Sequence, residues 1–276
     1  WYVREIEQPA GFVLDDTIYP VTIGADGQVV EIKIVNKYVR GNIHLTKVDS
    51  EYPDNKLTGA TFEVYKDSNA NGRLDNGDEL LGTLTEKEKG EYSMNDLFYG
   101  RYFVKETKAP EGFVLDTGVY EVMIDTNGKT YEVENKAGVG FVNDAMRGNL
   151  KIVKTSSDGK VKGFAFRITG ANGYDIILET NDKGEIFIDE LRIGDYTISE
   201  VSNSASSMYV LPADKKATVK LGSTTIVEMH NVLRDTPKTG DTTNLPLLYV
   251  LAGLSAVGIA VCGVIGFKKK KKEDRN

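Results

Sequence analysis

Three kinds of polar residue recur at matching places along this chain, each within a strand-like pattern whose alternate residues are apolar. Ile43, Leu45 and Lys47 alternate, as do Leu150, Ile152 and Lys154, and a period of two points each lysine to the same side as its apolar neighbours. Tyr102, Val104 and Glu106 share a face in the same way, as do Tyr196, Ile198 and Glu200, and Trp1, Val3 and Glu5. Val139, Phe141 and Asn143 repeat the arrangement, as do Val227, Met229 and Asn231, and Ile32, Ile34 and Asn36. Tyr131, Val133 and Asn135 also alternate, so Asn135 stands as a rival to Asn143. Burying a lysine or a glutamate is costly unless the two pair or neutralise. Desolvation raises a glutamate pKa and lowers a lysine pKa, so a pair sharing one proton can hold a neutral amine beside a neutral acid. Such an amine is a nucleophile, and a protonated glutamate bonded to an asparagine carbonyl makes that carbon electrophilic. Attack would expel ammonia and leave an amide joining the two side chains. The competing reading is a set of lysines that snorkel at strand ends beside solvated glutamates; agreement in register across the repeats argues against it.

A second constellation runs from Asp67 to Asp78. Asp67, Asn69, Asn71, Asp75 and Asp78 offer oxygens at the spacing of a calcium loop, with Gly72 at its sixth place and Arg73 giving a backbone carbonyl. The twelfth place holds Asp78 rather than a longer glutamate, and the preceding Thr61 to Tyr65 looks like a strand rather than a helix. An Asn- and Gly-rich hairpin tip explains the same residues. Both readings stand at this point, and any calcium would be structural.

The segments that must position these groups read as short strands between turn residues. Val119 to Ile124, Asp125-Thr126-Asn127-Gly128 and Lys129 to Glu134 spell strand, hairpin turn, strand. Asp182-Lys183-Gly184 before Glu185 to Ile188, and Leu191 to Asp195 before Tyr196 to Ile198, repeat the pattern. The prediction is an all-β chain of sandwich modules. Trp1 to Asp15 realigns with Tyr102 to Asp116, and Asn36 to Ile43 with Asn143 to Leu150, which divides the chain by internal repetition. Residues 1–37 read as the C-terminal part of a truncated module, 38–146 as a complete one, and 147–234 as a diverged one without the Ala-Pro-Glu-Gly-Phe turn. Linkers of a few residues would stack them as a semi-stiff rod. The chain opens at Trp1 with no signal-peptide pattern and reads as a fragment.

Composition narrows the chemistry. The 276 residues carry 34 Lys and Arg against 41 Asp and Glu, a net charge of −7, with two His and one Cys. That balance gives no footprint for nucleic acid. One Cys cannot close an internal disulfide, and with two His it cannot build a zinc cage. No nucleophile–His pair, phosphate loop or metal dyad is visible, so the expectation is no enzyme, only single-turnover self-cross-linking. Leu245 to Phe267 is uncharged over 23 residues and is followed by Lys268 to Lys272. That is long enough to span a bilayer core of roughly 30 Å, with its basic flank on the cytoplasmic side. One C-terminal transmembrane helix is therefore expected, with everything before it outside the cell and the lone Cys262 within it.

Ahead of the span, Thr236-Pro237-Lys238-Thr239-Gly240 with its spacer, span and basic tail (residues 235–276) resembles a Gram-positive sortase cell-wall sorting signal, although Thr236 stands where Leu is usual. The resemblance implies cleavage between Thr239 and Gly240 and transfer of the Thr239 carbonyl to an amine of peptidoglycan or of a pilin. Tyr102 to Phe113 is similar to the E-box of collagen-adhesin B-type and SpaA-like pilin modules, prealbumin-like domains whose isopeptide bonds form without an enzyme. That resemblance implies tandem reverse-immunoglobulin β-sandwiches. It assigns Lys47 and Asn143, promoted by Glu106, to one bond and Lys154 and Asn231, promoted by Glu200, to another. Glu5 and Asn36 belong to a third whose lysine is outside this sequence. The implied protein is an adhesin stalk, extracellular and covalently attached to the cell wall, meeting the membrane only before sorting. Its partners would be sortase, the amine acceptor and an unidentified host surface ligand; it would need no cofactor, structural calcium entering only on the calcium-loop reading of Asp67 to Asp78. Two alternatives stand beside it: an ancillary or basal pilin subunit, and the stalk of a wall-anchored enzyme whose catalytic domain lies upstream.

Overall fold

The structure, a computed structural model, describes residues 1–234. The sorting motif, the span and the basic tail at 235–276 lie outside the described residues. Among the described residues no helix is long and apolar enough to cross a membrane. The chain is all-β there apart from a 3-10 turn at Ala171–Gly173, and it divides into two compact units after Arg147.

The first unit opens with four two-residue strands, β1 (Tyr2–Val3), β2 (Phe12–Val13), β3 (Tyr19–Pro20) and β4 (Lys37–Tyr38), pairing β1 with β3 and β2 with β4. Nine more strands follow: β5 (Arg40–Asp49), β6 (Thr61–Lys66), β7 (Glu79–Thr83), β8 (Thr85–Glu88), β9 (Glu91–Phe98), β10 (Gly100–Lys108), β11 (Val119–Ile124), β12 (Thr130–Glu132) and β13 (Phe141–Asn143). One sheet runs β11-β10-β6-β7; the other runs β12-β5-β9-β8, with β13 also on β5. Their inner faces bury Ile43, Leu45, Phe62, Val64, Tyr92, Tyr102, Val104, Ile124 and Phe141 in one core, the alternate residues that period-two geometry points inward.

The second unit is a two-sheet sandwich as well. Its strands are β14 (Arg147–Ser156), β15 (Ala165–Thr169), β16 (Asp175–Glu179), β17 (Glu185–Arg192), β18 (Gly194–Val201), β19 (Tyr209–Val210), β20 (Lys215–Val219) and β21 (Thr224–Leu233). The sheets run β17-β14-β21-β19 and β16-β15-β18-β20, enclosing Leu150, Ile152, Phe164, Phe166, Ile168, Ile198, Val227 and Met229.

In both sandwiches the first long strand pairs in parallel with the last. The ladder of β14 and β21 is continuous from Asn149 opposite Thr224 to Ser156 opposite Asn231. The corresponding last strand of the first unit is broken. Thr130 lies opposite Asn42 and Phe141 opposite Lys47, so an insertion separates β12 from β13 where β21 runs straight. This corrects the hairpin expected at Val119 to Glu134: β12 does not pair with β11 but crosses to the other sheet. The chain makes that crossing because the Gly128 N–H donates to the Arg40 carbonyl at 2.7 Å and the Asn42 N–H to the Lys129 carbonyl at 2.9 Å. Asp125-Thr126-Asn127-Gly128 does turn the chain, but a turn motif does not state which sheet receives the next strand.

Candidate cross-linking sites

Strand β5 carries Lys47 into the first sandwich because Ile43 and Leu45 claim the same face, and all three are fully buried. Strand β10 delivers Glu106 beyond Tyr102 and Val104, and β13 delivers Asn143 beyond Phe141; both polar side chains are buried. Lys47 sits opposite Phe141, and Asn143 lies two residues further along, opposite Asp49. A diagonal offset of that kind is within reach of a long side chain. In the second sandwich Lys154 sits opposite Met229, and Asn231 again lies two residues further on. Lys154, Glu200 and Asn231 are buried there as well. Two modules with different cores thus place Lys, Glu and Asn in one register.

Hydrogen bonds join acid to amide. The Asn143 side-chain nitrogen donates to Glu106 Oε2 at 2.7 Å and to the Val114 carbonyl at 2.5 Å; the Asp116 N–H donates to the same Glu106 oxygen at 2.8 Å. The Asn231 nitrogen donates to Glu200 Oε1 at 2.6 Å. In the first repeat the Asn36 nitrogen donates to Glu5 Oε1 at 2.6 Å and the Asp15 N–H to Glu5 Oε2 at 2.8 Å. Glu106 Oε1 and Asn143 Oδ1 are buried without a hydrogen-bond partner, and so are Glu200 Oε2 and Asn231 Oδ1. Buried oxygens seldom stay unpaired. One proton on each glutamate, donated to the asparagine carbonyl, would satisfy both members of each pair.

Electrostatics favour that proton. Burial pushes the Glu106 and Glu200 carboxyls above their usual range, outweighing the asparagine hydrogen bonds and the nearby lysines that lower them. Burial likewise lowers both lysines against the opposing pull of their glutamates, bringing Lys47 down to about 8. The Lys47 amine is 3.1 Å from the Phe141 carbonyl oxygen, and the Lys154 amine lies 4.1 Å from the centre of the Phe164 ring. Each site therefore holds an amine that loses its proton more readily than a free lysine, an acid that keeps its proton to higher pH than a free glutamate, and a carboxamide oxygen without a hydrogen-bond partner.

The rival Asn135 is placed elsewhere. It lies in the insertion between β12 and β13, where its nitrogen donates to Asp116 Oδ2 at 2.7 Å and to the Val142 carbonyl at 2.8 Å. Its oxygen accepts from the Val142 N–H at 2.6 Å. Asp116, Tyr120 and the Val114 carbonyl were not singled out from sequence. The signal was there, because Asp15 and Tyr19 occupy the same repeat positions as Asp116 and Tyr120.

In the Asp67–Asp78 loop the side-chain oxygens are engaged by the loop itself. Asp67 accepts from the Asn71 and Gly72 N–H groups, Asp78 from those of Ser68 and Asp75, and Asp75 from the Gly77 N–H and the Asn69 and Asn71 amides. Arg73 donates its N–H to Asn71 Oδ1. Among the described residues no three His, Cys, Asp or Glu side chains gather to hold a metal ion.

Comparison with known proteins gives three findings. The family described as SpaA, a prealbumin-like fold domain, matches residues 41–137 and 148–232. The trypsin-resistant surface T6 protein of Streptococcus pyogenes serotype M6 is 29% identical over 194 residues, covering 69% of this chain and 32% of its own. The Bacillus anthracis TIE protein superposes with a TM-score of 0.62 at 25% identity over 84% of this chain and 41% of its own. The chain thus spans about a third of the first relative and two fifths of the second.

Proposed function

Because the chain belongs to the SpaA family of prealbumin-like fold domains, we propose that it is a load-bearing segment of a Gram-positive surface protein, hardened by self-formed Lys47–Asn143 and Lys154–Asn231 amides. The observation that carries this reading is the repeated register: in both sandwiches a buried lysine and a buried asparagine flank one glutamate on the first and last strands. In each site the lysine proton passes to the glutamate. The neutral Nζ attacks the asparagine Cγ, forming a C–N bond. The glutamate, bonded to the carboxamide oxygen, stabilises the negative charge developing there and returns its proton to the departing nitrogen. The Cγ–Nδ2 bond breaks and ammonia leaves; the second Nζ proton passes to the glutamate carboxylate, so Nζ keeps the single hydrogen of a secondary amide and the glutamate ends protonated. This is one turnover and no enzyme.

In the same reading Thr236 to Gly240 is the sorting motif, cut after Thr239 and joined to an amine of the wall or of a pilin, which leaves the modules outside the cell. The T6 relative is a surface protein by name, which supports that location. An adhesin stalk is the preferred role, and a pilin subunit the second, which the SpaA family match favours. The intact mass of the full chain is the test. Loss of two ammonia equivalents is expected, falling to one in Glu106→Ala and to one in Glu200→Ala; an unmodified wild-type mass sinks the cross-link.

A further inference from the structure

Asp116 carries no proton in the amide-forming reaction, yet it bonds Glu106 directly and reaches the Asn143 strand through Asn135. Its backbone N–H donates to Glu106 Oε2 at 2.8 Å. Its carboxylate accepts from the Gly118 N–H at 2.6 Å, the Tyr120 hydroxyl at 2.8 Å and the Asn135 nitrogen at 2.7 Å. Asn135 in turn holds the Val142 N–H at 2.6 Å and its carbonyl at 2.8 Å, and Val142 directly precedes Asn143. One hydrogen-bonded chain therefore runs from the acid, through Asp116 and Asn135, to the backbone that presents the amide. The loop bearing Asp116 also supplies the Val114 carbonyl to the Asn143 nitrogen. With Glu106 it gives both hydrogens of that carboxamide an acceptor, which fixes its plane. Asp116, Asn135 and Asn143 also line one cavity of about 320 Å³.

The arrangement recurs where the sequence repeats. The Asp15 N–H donates to Glu5 Oε2 at 2.8 Å, the Thr17 N–H to Asp15 Oδ1 at 3.0 Å, and the Tyr19 hydroxyl to Asp15 Oδ2. The second sandwich differs: Glu200 accepts from Asn231 but has, among the described residues, no main-chain donor corresponding to the Asp116 N–H on Glu106.

We propose that Asp116 is a positioning residue for the Lys47–Asn143 amide, holding Glu106 through its main chain and the Asn143 strand through its side chain and Asn135. The proposal rests on the cross-linking reading above. Asp116 stays ionised, held below its ordinary value by the Asn135, Gly118 and Tyr120 donors against burial, and its charge raises both Glu106 and Lys47. The other titratable groups facing this pair are Asp49 on β5 and Tyr120 on β11.

The test follows ammonia loss in the full chain after a pulse of cell-free synthesis, resolving the two amides by peptide mass. Asp116→Ala and Asn135→Ala are expected to slow the Lys47–Asn143 amide at least tenfold while the Lys154–Asn231 amide forms at its wild-type rate. Asp116→Asn keeps the side-chain size and removes the charge. It should move the pH profile of the first amide to lower pH, whereas Asn135→Ala slows the reaction without moving the profile. If Asp116→Ala loosens the module, Asp116→Asn and Asn135→Ala decide the matter. Wild-type rates and an unmoved profile in those two overturn the positioning role. A wild-type chain that loses no ammonia at all overturns the cross-linking reading instead.

Discussion

A lysine shut away from water, such as Lys47, and a glutamate in the same position, such as Glu106, each oppose folding while charged. Their effects on stability show once the amide is prevented, as in Asn143→Ala. There the folded-state Glu106 pKa is raised above 4.5. As pH rises from about 4.5 the unfolded chain releases that proton before the folded one, so stability falls through the window up to the folded pKa. Lys47 works the other way, because its folded value of about 8 lies below the ordinary 10.5. Between those values the unfolded chain binds more protons, and stability climbs with pH. Asn143→Ala should thus be least stable between the two windows, relative to a chain that also carries Lys47→Met and Glu106→Gln. Urea melts at about pH 5, 7 and 10 would check this; parallel curves for the two chains would contradict it. In the wild type the proposed amide would remove both charges, and closing a loop from Lys47 to Asn143 would add roughly 4.5 kcal/mol by the entropy estimate used for disulfides. Glu106→Ala should lose about that much, read as a lower Tm.

Strands β5 and β14 are each held beside their lysine by a glycine turn. The Lys47 N–H donates to the Gly90 carbonyl at 2.7 Å and the Lys154 N–H to the Gly184 carbonyl at 2.8 Å. Gly90 has φ +70, and a Cβ there would lie 2.9 Å from Lys56 Cβ and 3.0 Å from the Lys47 carbonyl; Gly184 has φ +76, with Val161 Cβ at 2.6 Å and the Lys154 carbonyl at 2.8 Å. Gly90→Ala and Gly184→Ala should each cost roughly 1–3 kcal/mol, measured as a lower denaturant midpoint in uncross-linked backgrounds; an unchanged midpoint would refute it. These elements also mark what the sequence could reveal. Alternation is a local signal, so the inward faces of Lys47, Glu106 and Asn143, and of Lys154, Glu200 and Asn231, could be read directly. The Asp116–Asn135 network joins segments of no shared period, and only the repeat of Asp15 and Tyr19 at Asp116 and Tyr120 hinted at it. The break between β12 and β13 was hidden too. It made Asn135 resemble a ladder residue, whereas the structure puts Asn143 in the register of Asn231.

Taken whole, a chain with 34 Lys and Arg offers trypsin many sites, and digestion depends on how often each module opens. Glu106→Ala combined with Glu200→Ala should be cut into small fragments under conditions that leave the wild-type modules intact, as judged by gel; equal digestion would speak against the proposed amides. The parallel pairing of β14 with β21 has a mechanical consequence that needs no amide. The start of β14 and the end of β21 lie at opposite ends of their ladder, so a pull on the two ends of the module slides one strand along the other. All eight register pairs from Asn149–Thr224 to Ser156–Asn231 are then loaded in shear together, instead of being peeled apart singly. A Glu200→Ala chain stretched between Gly148 and Leu233 should accordingly yield at higher force than the same chain stretched between Gly148 and Thr224, where the ladder unzips from one end.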